Sequence, residues 1–214
     1  MSCLITEGKI ILNSIIYKGA IICTALATLI IANDTLSVNI DSSNIIWTGR
    51  KVTGEHSGTL KLADGWVILQ KDSIIGGKLI FDMSSIQNTD IESPEWKAKL
   101  EQHLMNEDFF FVDSFPNAIL EIKDHVQVKD DKAGQSNQIF ADLTIRGITH
   151  PINLPLEISQ NDSSYSAEGT IDINRTLFNI QYKSGTFFED LGDRMIYDDF
   201  TVQFSLQAKV IKNN

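Results

Sequence analysis

Cysteine is nearly missing from this chain of 214 residues: only Cys3 and Cys23 occur, and both precede residue 33. Everything beyond that point is therefore without disulfides, thiolate-bound metals or a cysteine nucleophile. Basic side chains are also short, with 18 Lys and Arg against 28 Asp and Glu, a formal net charge of −10 and no Lys/Arg run. Neutralising phosphates needs a basic face, so a nucleic-acid partner is disfavoured, as is attraction to anionic lipid by charge alone. There is no Gly-x-Ser-x-Gly turn and no serine in an activating context, which argues against a hydrolase nucleophile. The four histidines, His56, His103, His125 and His150, form no pair at i, i+2 or i, i+4, so no local metal motif exists. Glu189, Asp190, Asp193, Asp198 and Asp199 crowd together without the ligand spacing of a calcium loop and read as acidic turns. Neither a metal nor a cofactor is implied, and an enzyme is not the expected reading.

What is present begins with a distinct leader. Lys9 and Lys18 precede an uncharged run from Gly19 to Ala32, too short for a comfortable span but suited to the apolar region of a secretory signal. Ala25, Ala27 and Ala32 offer small residues for cleavage. Residues 1–32 are therefore read as an export signal, with an uncleaved N-terminal anchor as the alternative, and residues 33–214 as one domain. The expected location is periplasmic or secreted, or membrane-anchored if the leader stays.

The body reads as strands. Val202, Phe204, Leu206, Ala208 and Val210 alternate with Thr201, Gln203, Ser205, Gln207 and Lys209, which puts apolar and polar side chains on opposite faces. Ile139 to Ile145, Ile152 to Ile158, Ala167 to Ile173 and Leu79 to Met83 repeat the pattern. Turn-rich joints such as Ala63-Asp64-Gly65 and Gly76-Gly77 separate the runs. Many such strands indicate an antiparallel sandwich or a closed barrel, and pattern alone does not separate the two. One segment differs: Ser93-Pro94-Glu95 resembles a helix start, and Trp96, Leu100 and Leu104 follow at four-residue spacing. A single helix from Pro94 to about Met105, packed on the strands by that stripe, is expected.

Five short blocks lie between these runs: Trp47-Thr48-Gly49-Arg50-Lys51 with Gly54-Glu55-His56-Ser57-Gly58; Phe81 to Ile86; His103-Leu104 with Glu107-Asp108-Phe109-Phe110 and Phe115-Pro116; Leu143 to Pro151; and Asn174-Arg175-Thr176 leading to Gly185-Thr186-Phe187-Phe188. In this order they resemble the YceI-like family, and the resemblance runs from about Leu36 to Lys212. It implies an all-β, lipocalin-like antiparallel barrel with one short helix, holding an isoprenoid, quinone-like or fatty-chain lipid, with transient membrane contact and a homodimer left open. A barrel that holds such a chain would be lined by Phe81, Leu104, Phe109, Phe110, Phe115, Leu143, Ile145, Ile171, Ile173, Phe178, Phe187, Phe204 and Leu206. Core packing is the competing reading of the same aromatics. Arg175, His56 and His150 are the candidates to meet a polar head group; the competing reading pairs Arg175 with a structural carboxylate and has the histidines tying loops to strand ends. A filled core, serving an interaction or stress-response module, is the alternative to a lipid-holding lumen, with an enzyme behind it. Where the family pattern commonly has Gly after the Phe, this chain has Asn179, which tolerates positive φ and should preserve the turn.

Overall fold

The structure, a computed structural model, describes residues 33–71, 73–130, 134–161 and 164–211; the expected leader, residues 1–32, lies outside them. Its strands are β1 Asp34–Val38, β2 Asn44–Lys51, β3 Gly54–Gln70, β4 Ser73–Asn88, β5 Asn117–Asp130, β6 Gly134–Ile145, β7 Ile148–Asn161, β8 Ser164–Asn174 and β9 Ile196–Val210. Helix α1, Pro94–Met105, stands between β4 and β5. Strands β3 to β9 pair antiparallel in chain order, and the ring closes because β1 and β2 both bridge β3 and β9. Leu36 of β1 faces Val67 and Val210, while Ile46 of β2 faces Thr59 and Gln203, so the two run in the same direction along one lane. They are one interrupted strand, and the barrel has eight lanes. At the interruption the Ser43 hydroxyl donates to Asn39 O at 2.7 Å and accepts from Gln207 N–H at 3.1 Å, which keeps the lane stitched to β9.

Alternation sets the inside. Ile139, Ala141, Leu143 and Ile145 of β6 are all buried, whereas Phe140 between them is 42% exposed. Every strand of the ring has a bonded neighbour on each side over at least part of its length, so none is a free edge from end to end.

The two ends differ. At one, which we call the hairpin end, the ladders close at Gln70/Ser73, Asp130/Gly134 and Asn161/Ser164. At the other, the loop end, two tight turns accompany two long connections, residues 89–116 carrying α1 and residues 175–195 carrying 3-10 turns at Arg175–Phe178 and Gly192–Arg194. The turn between β6 and β7 holds Arg146 at φ 51° and Gly147 at φ 71°, the paired positive values that a tight hairpin with right-handed strand twist requires. Asn179 sits at φ 58° and closes the first 3-10 turn, the conformation expected of it.

Helix α1 has the expected bounds, and of the expected stripe Leu100 and Leu104 face inward while Trp96 does not. Ser93 caps it through its carbonyl, which accepts Lys97 N–H at 2.9 Å, and makes no side-chain cap bond. Leu104 is buried, yet Trp96 is 59% exposed with Lys99 Nζ 4.4 Å over its ring. The stripe through Trp96 is therefore corrected. Glu101 accepts the backbone N–H of Asn88 at 2.8 Å, and that bond turns the side carrying Lys97, Glu101 and Leu104 toward β4.

Candidate functional site

The lumen is hollow over one half of its length and nearly filled over the other. Toward the hairpin end it holds a cavity of about 530 Å³, walled by aliphatic side chains such as Leu36, Leu69, Leu79, Leu154 and Leu206. That volume falls within the roughly 300–1,000 Å³ of pockets that bury small-molecule ligands. Toward the loop end lies a chamber of about 150 Å³. Ile45, Phe81, Leu143, Ile173 and Val202 line both and form a belt where the two meet.

The inner chamber is small because the long connections send side chains into it. Leu104, Phe109 and Phe110 enter from the segment around α1, and Ile180 from the 175–195 loop. Phe110 meets the Phe200 ring edge-on at 6.3 Å. The two connections also touch each other: His103 lies 4.7 Å from the Tyr182 ring and 5.0 Å from that of Phe109. The two connections thereby pack against each other over the loop end. Within this chamber the indole N–H of Trp47 is buried and finds no protein acceptor among the described residues.

Of the expected lining residues, Phe81, Leu143, Ile171, Ile173, Phe204 and Leu206 face the outer chamber, and Leu104, Phe109, Phe110 and Ile145 face the inner one. Phe115, Phe178 and Phe187 line neither. Phe115 covers Gly147 and packs on Phe111. Phe178 is 1% exposed and lies against His150 beneath the loop, and Phe187 is 47% exposed on the outer surface. Short-range aromatic crowding in the chain does not tell which side of a loop each ring takes.

The three head-group candidates are committed to protein partners. Arg175, 3% exposed, donates to Ile180 O at 2.7 Å and to Tyr197 O and Ile196 O at 3.1 Å each, with Asp198 at 3.5 Å. Burial pulls its pKa down and the Asp198 carboxylate opposes that pull. Its function is to pin the 3-10 turn to the start of β9. His56 Nδ1 donates to Asp90 at 3.0 Å, tying the start of β3 to the segment after β4. Burial raises the Asp90 carboxyl, but hydrogen bonds from Asn88 and His56 outweigh it and hold Asp90 below the usual carboxylate range. His150 Nε2 donates to Leu177 O at 2.9 Å. Each ties a loop to a strand.

Polar groups reach the lumen at the opposite end. Lys71, Gln127, Asn137, Ser159, Gln160 and Tyr165 belong to the outer chamber wall near the hairpins. Asn137 is held from behind: Ile74 N–H donates to His125 Nδ1 at 3.1 Å, leaving Nε2–H to donate to Asn137 Oδ1 at 3.0 Å. His125 and Asn137 are buried, 8% and 6% exposed. The sequence reading missed this collar, because isolated Gln, Asn and Ser in alternating strands look like ordinary outward positions. Asn88 was missed as well: fully buried, it donates to Ser57 O at 2.9 Å and to Asp90, and accepts Ile91 N–H at 2.9 Å.

Solved structures share this architecture. BcnA of Burkholderia cenocepacia matches with 18% identity and a TM-score of 0.63, covering 80% of this chain and 99% of its own. A polyisoprenoid binding domain from Saccharophagus degradans, implicated in plant cell wall breakdown, matches with 14% identity and a TM-score of 0.57, covering 82% of this chain and 98% of its own. At these identities the likeness is one of fold. No curated protein matches the chain. A YceI-like domain model matches residues 36–208, and on that match the chain belongs to the YceI-like family.

Proposed function

We propose that this protein binds and carries an isoprenoid, quinone-like or other long-chain lipid in the lumen of its barrel. The observation that carries the reading is the aliphatic cavity of about 530 Å³ with a polar collar at one end only. The name of the Saccharophagus degradans relative, a polyisoprenoid binding domain, supports the same ligand class. Each methylene buried from water contributes about 0.8 kcal/mol, so an apolar chain of several units is held without polar recognition. Relative to a bilayer, which is equally apolar, that gain nearly vanishes. The protein therefore partitions a chain between membrane and lumen, and no catalytic step is needed.

The hydrocarbon lies along the outer chamber with its tail toward the belt of Ile45, Phe81, Leu143, Ile173 and Val202. Its polar end sits at the hairpin-end collar, beside Lys71, Gln127, Asn137 and Tyr165, and not at Arg175, His56 or His150. Exposed Leu177, Phe187 and Phe188 on the 175–195 loop supply an apolar surface for transient membrane contact. Export by the leader, to a periplasmic or secreted location, completes the reading and places the carrier next to a membrane.

Native mass spectrometry of the gently purified protein tests it, followed by incubation with prenyl and fatty chains. A mass increment matching one chain per barrel is expected. A barrel that is always empty and takes up neither chain sinks the proposal.

A further inference from the structure

Strands β7 and β8 are bonded over only part of their length. Their ladder runs from Asn161↔Ser164 to Leu156↔Gly169 and stops there. Beyond it, β7 from Ile148 to Pro155 pairs only with β6, and β8 from Thr170 to Asn174 only with β9. Pro151 and Pro155 account for the break: neither has an N–H to donate, and proline is tolerated where one side of a strand is unbonded. The wall thus carries a seam in which no backbone ladder crosses from β7 to β8. At the foot of the seam His150 bonds Leu177 O, and Phe178 packs on the imidazole.

One ring sits at the head of the seam, over its last bonded rung. A Cβ on Gly169 would lie 2.6 Å from the Phe204 ring and 2.6 Å from Pro155 O, so Phe204 occupies the place a side chain would take. On the outer side of the same wall lies a groove of about 590 Å³ whose lining includes Pro155, Gly169 and Thr170. Leu156 and Phe204 line both this groove and the lumen. Gly169 is the last rung of the β7–β8 ladder, paired to Leu156 on one side and to Phe204 on the other, and the Phe204 ring therefore sits at the upper end of the unbonded stretch.

We propose that hydrocarbon passes sideways through the β7–β8 seam, with the outer groove as its landing site and the Phe204 ring as the gate. This rests on the carrier reading. Beyond the Leu156↔Gly169 rung the β7–β8 ladder has no bond to break, so a chain passing there leaves the backbone pairing intact. A lateral route also lets an apolar tail cross between membrane and lumen while the polar end stays at the collar, so neither end has to traverse the wrong surroundings.

The full chain with Cys3→Ser and Cys23→Ser, and with Pro155→Cys and Thr170→Cys added, places two exposed thiols on the flanks of the seam. Bridging them with a short bifunctional maleimide is done on the folded protein. The readout is the rate at which a pyrene-labelled fatty acid transfers from phosphatidylcholine vesicles. Bridging is expected to slow loading at least tenfold while the amount bound at equilibrium is unchanged, and Phe204→Ala, or Phe204→Leu if the smaller residue unfolds the barrel, to speed it at least threefold. Loading of the bridged protein at the unbridged rate overturns the gate and leaves the collar as the route. Failure of the unbridged protein to load at all overturns the carrier reading and the gate with it, and the unbridged control tells the two results apart.

Discussion

The two chambers of the barrel are built from the same strands, yet one is hollow and the other is nearly full. Both walls carry the same period-two alternation of Ile, Leu, Val and Phe, and five residues line both. The difference comes from outside the strands. At the loop end Leu104, Phe109, Phe110 and Ile180 reach in from the two long connections. At the hairpin end the ladders are joined by two or three residues only, and about 530 Å³ stays open. Whether a barrel encloses a ligand space or a solid core is thus decided by loop length at its ends, and the strand pattern is silent on it. The filled-core alternative describes the inner half of this molecule, the carrier reading the outer half.

That contrast can be broken most forcefully at the filled end. Ile180→Ala, at a fully buried side chain of the inner chamber, should cost about 4 kcal/mol, because little can collapse into the space it leaves. Thermal melting should fall by about 10 °C, with lipid uptake at low temperature retained. Arg175→Met comes next, at about 3 kcal/mol, since it strands the carbonyls of Ile180, Ile196 and Tyr197. Arg175→Lys should restore little of this in chemical denaturation, because an ammonium lacks the planar fork that reaches all three.

At the hollow end the effect should move from stability to binding. Ala208→Trp puts an indole into the outer chamber and should lower uptake of a long chain at least tenfold, about 1.4 kcal/mol, while leaving melting nearly unchanged. Equal losses of stability at Ile180 and Ala208 would erase the distinction between the chambers. The smallest effect concerns acid. Asp90 is held below its ordinary pKa when folded, so its contribution is present above the unfolded value, near 4, and is lost as pH falls through the folded one. The group is more than a third exposed, so under about 1 kcal/mol is at stake. Melting followed from pH 6 down to pH 2 should show a shallower acid decline for Asp90→Asn than for the natural chain.

Much of the barrel was legible in the residues. Alternation from Ile139 to Ile145 and from Val202 to Val210 placed faces correctly, and Ser93-Pro94 marked the helix start to the residue. These are local signals with one dominant period. What was not legible depends on contacts far apart in the chain. The Asn88–Glu101 bond rotates α1 away from Trp96, a tertiary choice that four-residue spacing does not contain. Phe115, Phe178 and Phe187 sit in aromatic-rich loops like Phe109 and Phe110, and only the path of each loop decides which rings enter. The collar of Gln127, Asn137 and Tyr165 is polar on the inward face, a violation of the pattern that reads as noise until the barrel closes around it. Arg175, at the end of the Gly169–Asn174 alternation, needs a partner or solvent; a structural carboxylate is one such partner, and Asp198 supplies it. The three backbone carbonyls that hold the guanidinium are not marked in a sequence.

The interrupted lane of β1 and β2 has a consequence for how the chain assembles. Every other neighbour in the ring is also the next segment along the chain, so hairpin after hairpin can form from local encounters. Only the meeting of the lane with β9 joins distant parts, as when Leu36 finds Val210. Until β9 is made the protein is an open ribbon with two sticky margins, and its single slow event is the zipping of the last strand onto the first. A ribosome stalled before Ile196 would therefore hold an intermediate ready to pair with any loose strand nearby, including that of a sister chain.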